Sequence, residues 1–162
     1  MSNRGKLFVV ATPIGNLQDI SFRAVETLKK VNCIFAEDTR TSKKLINHYD
    51  IDTKLHSYHD HSSEKEIARL LDILKDHKDV ALISDAGTPT ISDPGYSLIR
   101  QCINEGIDVI PIPGASALTA AISASGLPSD AFTFIGFLPT KKGRKKKISS
   151  LENLDMNIVL FE

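Results

Sequence analysis

Short apolar runs alternate along the chain with longer segments of helical periodicity. The runs are continuous rather than alternating, which is typical of strands buried on both faces of a parallel sheet. They predict four strands, at 6–11, 33–36, 80–83 and 108–110, and a weaker fifth at 54–57. This order of elements favours an α/β fold class with an open, mostly parallel five-stranded sheet and flanking helices.

Two helices between these strands carry boundary signals. Ser63 and Glu66 form a capping-box pattern ahead of an apolar helix face. Asp93 is expected as the N-cap of a helix over 94–105, and Gly106 follows its last residue. Both helices fit the connections that a parallel sheet requires.

The pattern of apolar and polar positions along the chain changes near Gly126. A strand-like run at 132–138 follows, then a basic segment, then a second strand-like run from 157. We expect 1–125 to form an N-terminal α/β domain that provides one side of a cofactor and substrate cleft. We expect 126–162 to be the truncated beginning of a C-terminal α/β domain.

Composition narrows the class of protein. The 162 residues are 41% hydrophobic and 25% charged, as in a soluble globular protein. Lys plus Arg and Asp plus Glu number 20 each, so net charge identifies no partner. No apolar run has the length of a membrane span or signal-peptide core, and Cys33 and Cys102 lack disulfide or metal spacing. These features predict a cytoplasmic protein without a membrane partner.

Each predicted strand runs into a segment rich in proline, glycine and polar residues. The longest is SDAGTPTISDPG at 84–95, whereas about two to six residues suffice for an ordinary α/β connection. Ligands bind at the carboxyl ends of strands in open parallel sheets, so the five segments predict one shared cleft. The alternative is that they are ordinary connections with routine helix caps.

Five ordered motifs carry a family resemblance. They are TPIGNLxDI from Thr12, AEDTR from Ala36, HDH from His59, SDAGTPxISDPGY from Ser84 and PGASA from Pro113. Together they resemble the class III, tetrapyrrole methylase-type S-adenosylmethionine methyltransferases. Within that family the chain is similar to the branch that methylates a cytidine 2′-hydroxyl in small-subunit (16S) ribosomal RNA. It resembles roughly the first half of the family pattern.

The resemblance implies S-adenosylmethionine as the cofactor and a homodimer acting on 16S ribosomal RNA or the small ribosomal subunit. It places the cofactor against the loop after the fourth strand and the PGASA motif, at Ser84, Asp85, Ala86, Gly87, Thr88, Asp93, Gly114, Ser116 and Ala117. The family's G-x-G-x-G-D loop is replaced here by ATPIGN, which suggests that Pro13, Gly15 and Asn16 face a different substrate.

Three polar residues on the cleft edge are candidates for catalysis. Asp38 or His59 could accept a proton from a ribose hydroxyl, and Arg40 could hold a phosphate through two hydrogen bonds. The sequence does not choose between the two acceptors, and the alternative that the base lies in the part of the family pattern beyond Glu162 stays open. Structural alternatives stay open, since Asp38 and Asp93 could each be a helix N-cap.

Six basic residues fall within 141–147. Lys141, Lys142, Arg144 and Lys145 are predicted to contact RNA phosphates, with a solvated, mobile loop as the alternative. No metal is expected, because His56, His59 and His61 lack ligand partners at recognisable spacing and a sulfonium methyl needs none. Two other functions stay open: methylation of carbon on a tetrapyrrole, or a non-catalytic truncated fragment that binds RNA.

Overall fold

The computed structural model describes residues 4–59 and 64–162. The chain divides into two compact units, Met1–Ser116 and Ala117–Glu162. Among the described residues, no helix is both long enough and apolar enough to span a membrane. The capping-box pattern at Ser63, together with Asp60 and His61, lies outside the described residues.

The first unit is built on a five-stranded parallel sheet. Its strands are β1 (Leu7–Val10), β2 (Cys33–Ala36), β3 (Leu55–Ser57), β4 (Val80–Ile83) and β5 (Val109–Ile112). They lie side by side in the order β3-β2-β4-β1-β5. The connecting helices are α1 (Phe22–Lys30), α2 (Thr39–His48), α3 (Glu64–Lys75) and α4 (Tyr96–Asn104), with a 3₁₀ turn at Leu17–Asp19. The predicted α/β class with an open parallel sheet is confirmed.

The packing of helices on both faces of the sheet explains why the strand sequences are unbroken apolar runs. Every residue of β2 and β4 is buried. Cys33 and Phe35 of β2 pack in one apolar cluster with α3 and α4, whereas Ile34 and Ala36 pack in a second cluster with α1 and α2. Successive side chains of a strand point to opposite faces, so both faces of the sheet must be apolar when helices cover both.

Two predicted boundaries are wrong by two residues each. Strand β5 continues through Pro111 to Ile112, although the prediction ended it at Ile110. Leu7 and Ala11 donate their backbone N–H groups to the carbonyls of Asp108 and Ile112. By strand alternation the Pro111 nitrogen faces the open edge of the sheet, where no donor is required.

The second error concerns the start of α4. The helix begins at Tyr96 rather than Pro94, and its N-cap is Gly95 with a φ of +132°, not Asp93. Among the residues that the structure describes, no side chain caps this helix. Residues on both sides of Asp93 depart from helical geometry, since Ser92 also has a positive φ, of +66°. Asp93 therefore belongs to the loop.

The second unit contains a parallel strand pair and two helices. Its elements are α5 (Ala117–Ala124), β6 (Phe132–Phe137), α6 (Arg144–Leu151) and β7 (Asn157–Phe161). Phe134 and Phe137 of β6 pack against Phe161 of β7, with ring centroids 4.9 and 5.3 Å apart. These aromatic contacts favour the pairing because cross-strand aromatic pairs stabilise neighbouring strands.

Candidate active site

The loops after β1 and β4 are joined through their backbones. The Thr12 N–H donates to the Gly87 carbonyl at 2.8 Å, and the Gly87 N–H donates to the Thr12 carbonyl at 3.1 Å. The buried Thr12 hydroxyl also donates to the Ser84 carbonyl at 3.2 Å. Since β1 and β4 are neighbours, these bonds hold both loops at the carboxyl edge of the sheet.

The loop from Ser84 to Gly95 has an unusual backbone. Gly87, Thr90, Ser92 and Gly95 have φ values of +81°, +74°, +66° and +132°. A positive φ at a residue other than glycine costs on the order of 1–3 kcal/mol and persists only where the surroundings enforce it. This long segment therefore has a fixed, irregular backbone conformation and is not a flexible connection.

A crevice opens where the chain direction reverses in the sheet. The chain leaves β2 toward the outer strand β3 and leaves β4 toward β5 on the opposite side. Such a switch point is the general location of ligand sites in open α/β sheets. Here the Asp38 N–H, after β2, donates to Asp85 Oδ1, after β4, at 3.0 Å.

The predicted catalytic residues come together in this crevice. They border a cavity of about 400 Å³ lined by Glu37, Asp38, Thr39, Arg40, Ser57, His59 and Asp85. Asp38, Arg40 and His59 thus share one cavity with Asp85, which was predicted to contact the cofactor. Glu37 and Ser57 were not selected from the sequence. Strand ends alone indicate them, because each lies at the carboxyl end of a strand of the predicted sheet.

Asp38 and Arg40 form an ion pair at the start of α2. The Asp38 carboxylate caps the helix by accepting the Arg40 N–H at 2.8 Å, and the Arg40 guanidinium donates to it at 2.8 and 3.2 Å. These hydrogen bonds hold the pKa of the Asp38 carboxyl down at about 2 and raise the pKa of Arg40. A carboxylate that binds protons so weakly is a poor base at neutral pH.

The histidines near β3 differ in their surroundings. His59 Nε2 lies 2.8 Å from the Ser57 hydroxyl, and both side chains are exposed at the cavity. His56 instead stacks on Phe35 with ring centroids 5.2 Å apart, and its burial lowers the pKa of its imidazole. Of these two histidines, His59 is the one whose side chain lines the cavity.

A second, smaller cavity lies beside the first loop. Its volume is about 130 Å³, and its lining is Thr12, Pro13, Gly15, Leu17, Thr41, Ser42, Lys44, Leu45, Ser84 and Asp85. The predicted substrate residues Pro13 and Gly15 are in this lining. Asn16 uses its side-chain oxygen to accept the Gln18 N–H at 3.1 Å and so starts the 3₁₀ turn.

The remaining predicted cofactor residues lie in the loops after β4 and β5 and at the start of α5. Ser84 is 2% exposed, and its hydroxyl faces the carbonyls of its own turn at 3.4–3.5 Å. Gly114 lies so close to the first loop that an added Cβ would be 3.1 Å from Ala11 Cβ. Ser116 ends the first unit, and Ala117 opens α5 in the second.

The basic run belongs to the second unit and is largely helical. The predicted phosphate-binding residues Lys141 and Lys142 precede α6, and Arg144 and Lys145 begin it. The alternative of an irregular loop is therefore wrong for the residues from Arg144 onward. Arg144 pairs with Glu162 at 2.6 Å.

Two further features bear on chemistry. Within 4–59 and 64–162, no cluster of three or more His, Cys, Asp or Glu side chains could hold a metal ion. Cys33 and Cys102 are buried, and desolvation raises the pKa of each thiol, to about 11 for Cys102. Neither is a reactive thiolate at neutral pH.

Comparison with known proteins gives a family and close relatives. Residues 6–162 match the family of Tetrapyrrole (Corrin/Porphyrin) Methylases. The chain is 53% identical over 161 residues to a ribosomal RNA small subunit methyltransferase I from Halalkalibacterium halodurans, covering 99% of this chain and 56% of that protein. A protein of the same name from Thermotoga maritima is 50% identical over 158 residues, covering 98% and 71%. The chain thus spans little more than half of the first relative.

Solved structures agree on the fold. A diphthine synthase superposes with a TM-score of 0.77 at 18% identity, over 97% of this chain and 64% of that one. A uroporphyrin-III-C-methyltransferase from Thermus thermophilus superposes with a TM-score of 0.60 at 20% identity, over 83% and 60%. At these identities the likeness concerns the arrangement of strands and helices.

Proposed function

The chain belongs to the tetrapyrrole (corrin/porphyrin) methylases, and we propose that its protein is an S-adenosylmethionine-dependent enzyme that methylates the 2′-hydroxyl of a cytidine in 16S ribosomal RNA. The observation that carries the proposal is the bond between Asp38 and Asp85 across the β2/β4 crevice. Asp38 thereby contacts the loop that resembles a cofactor site, and His59 lines the same cavity, which supports the proposal. The relatives named as ribosomal RNA small subunit methyltransferases support the choice of RNA.

The residues after β4 suit a bound cofactor. Within 4–59 and 64–162, a Cβ built on Gly87 would have only Ile14 Cγ2 within 4 Å, at 3.5 Å, so the space on that side is open to a ligand. The fixed φ values of this loop hold its peptide groups in one arrangement before any ligand arrives, which lowers the entropic cost of binding. S-adenosylmethionine supplies an electrophilic methyl group on a sulfonium, so the protein needs to position a nucleophile and exclude water.

Within the crevice the candidate catalytic residues divide their roles. His59 is the proton acceptor for the ribose hydroxyl, oriented by the Ser57 hydroxyl at 2.8 Å. Asp38 does not take the proton, because its pKa is about 2. Instead it holds the exposed guanidinium of Arg40, whose planar donors suit an RNA phosphate.

The basic helix α6 supports RNA as the substrate. Its first turn carries no acidic residue and is occupied by Arg144 and three lysines. Positive charges at a helix N-terminus are repelled by the helix dipole, and bound phosphates offset that repulsion. Arg144 is engaged with Glu162, so the neighbouring lysines make the phosphate contacts.

Assembly and location follow from the family resemblance. We propose a homodimer that acts in the cytoplasm on 16S ribosomal RNA or the assembled small subunit. The division into a 1–125 domain and the start of a second at 126–162 remains part of the same proposal. Tetrapyrrole methylation is the weaker candidate, because the relatives at 50% identity or more carry ribosomal RNA names.

Transfer of a labelled methyl group tests this function. The protein is this chain extended with the remaining length of the Halalkalibacterium relative, since the chain spans 56% of it. We expect label from S-adenosylmethionine in small ribosomal subunits or 16S RNA, and none in large subunits or a tetrapyrrole. Label in the tetrapyrrole alone, or no transfer by a folded chimera that binds the cofactor, contradicts the proposal. The His59→Ala chimera is expected to lose at least about a hundredfold in rate.

A further inference from the structure

The 130 Å³ cavity beside the first loop has the size of a single aromatic ring. A protein cavity of about 150 Å³ accommodates one benzene molecule, so this space suits a six-membered ring but not a fused purine. The cavity shares Asp85 with the larger crevice that contains His59. A ring bound in it therefore lies next to the crevice in which we place the ribose chemistry.

The lining combines apolar walls with a few polar groups. Pro13, Leu17 and Leu45 provide apolar surface, and Lys44 and Asp85 provide a cation and a carboxylate. The Ser42 hydroxyl is buried and has no hydrogen-bond partner among the described residues. Since the oxygen of this hydroxyl has almost no exposed area, we assign the polar contacts with a ligand to Lys44 and Asp85.

We propose that this cavity receives the base of the nucleotide to be methylated and selects cytosine, an inference that rests on the function proposed above. Asp85 Oδ1 already accepts the Asp38 N–H, which leaves the other carboxylate oxygen for the exocyclic amine of cytosine. Uracil presents a carbonyl oxygen at that position, and a carboxylate repels it. Lys44 supplies a donor for the base carbonyl that both pyrimidines share.

A phosphate fits the same cavity less well. The charged residues of its lining are Lys44 and Asp85, so the carboxylate offsets the attraction of the lysine for an anion. The apolar walls favour a flat ring in the same way. Charge and shape together point to a neutral base.

Nucleoside titrations of the isotope-labelled chain, followed by amide chemical shifts, test this assignment. We expect saturable shifts centred on Gly15, Ser42 and Asp85, with cytidine bound about fivefold or more tightly than uridine. Asp85→Asn is expected to remove or reverse that preference, because an amide can donate to the uracil carbonyl as well as accept. The matched control is Asp52→Asn, an exposed carboxylate outside the cavity lining, which is expected to keep it.

The outcomes separate this inference from the proposed function. The cytosine pocket is contradicted if the two nucleosides bind equally, if the shifts centre elsewhere, or if no shift saturates. It is also contradicted if the cytidine preference survives Asp85→Asn with the fold intact. Calorimetry with S-adenosylmethionine on the same variant shows whether the effect is confined to the base. Methyl transfer to ribosomal RNA by the extended chimera is measured independently. Transfer that persists without a nucleoside preference contradicts the pocket and leaves the proposed function standing.

Discussion

Replacing Gly87 by alanine should separate the stability of the loop after β4 from its role in binding. Gly87 has a φ of +81°, and its Cβ would lie 3.5 Å from Ile14 Cγ2, an ordinary van der Waals distance. Alanine at this position therefore destabilises the folded state through backbone strain and not through a clash. The strain is about 1–2 kcal/mol for an L-residue in the left-handed region. In the proposed complex the same methyl group lies where the cofactor approaches the backbone.

Gly106→Ala is the matched control. Gly106 has a φ of +67°, and no described atom lies within 4 Å of a built Cβ, so alanine there is expected to cost the same backbone strain, about 1–2 kcal/mol, with no contact to a neighbour. It follows α4 at the opposite edge of the sheet, away from the strand ends that form the crevice. The two variants should therefore lose equal stability in urea unfolding followed by circular dichroism.

Calorimetric titration with S-adenosylmethionine supplies the second readout. We expect Gly106→Ala to bind as the parent chain does, and Gly87→Ala to bind about tenfold more weakly or worse, a loss of ~1.4 kcal/mol or more. Equal affinities for both variants and the parent would place the cofactor away from Gly87. A much larger stability loss for Gly87→Ala than for Gly106→Ala would refute the view that its strain is purely conformational.

Three further substitutions and one control probe the fold and the crevice. Arg40→Ala should raise the pKa of Asp38 from about 2 toward its ordinary value, as followed by carboxyl chemical shifts. Since the folded-state pKa is depressed, the stabilisation by Asp38 is complete above the unfolded pKa of about 3.9 and is lost as pH falls through about 2. The variant should lose less stability over this range, because it keeps the backbone hydrogen bond to Asp38 but not the side-chain bonds. Leu74→Ala removes a fully buried side chain and should lower the free energy of unfolding in urea by about 2–5 kcal/mol. The side chain of Ile103 is 62% exposed, so Ile103→Ala should change the free energy of unfolding by no more than about 0.5 kcal/mol. Equal losses for the two variants would contradict the assigned core. Ser42→Ala should leave the free energy of unfolding unchanged or raise it by up to about 1 kcal/mol, because the buried hydroxyl makes no hydrogen bond among the described residues. A loss beyond about 1 kcal/mol would mean that the Ser42 hydroxyl does make a hydrogen bond in the folded protein.

The sheet could be predicted from sequence because its strands are buried on both faces. Cys33–Ala36 and Val80–Ile83 match their predicted ranges, since unbroken apolar runs leave few alternatives. The error at Pro111 arose because sequence does not state which strand lies at an edge, and only an edge tolerates a missing donor there. The misplaced N-cap at Asp93 arose because the loop adopts left-handed conformations that capping rules do not anticipate.

Which residues come together in the candidate site depends on strand order more than on local sequence pattern. The edge rule brings Asp38, Arg40 and His59 to the carboxyl ends of β2 and β3, but nothing local indicates that Asp85 lies against Asp38. That contact requires β4 to pair with β2, a long-range fact of topology. Ser42 was missed for a related reason, because one serine on a polar helix gives no sign that its hydroxyl is buried unpaired.

The most direct test of the central claim is mass spectrometry of nucleosides from 16S ribosomal RNA after reaction with the extended chimera and methyl-deuterated S-adenosylmethionine. The account predicts deuterium in 2′-O-methylcytidine, a signal abolished by His59→Ala. Label on a base, on the ribose of another nucleoside, or in no nucleoside despite cofactor binding would contradict it.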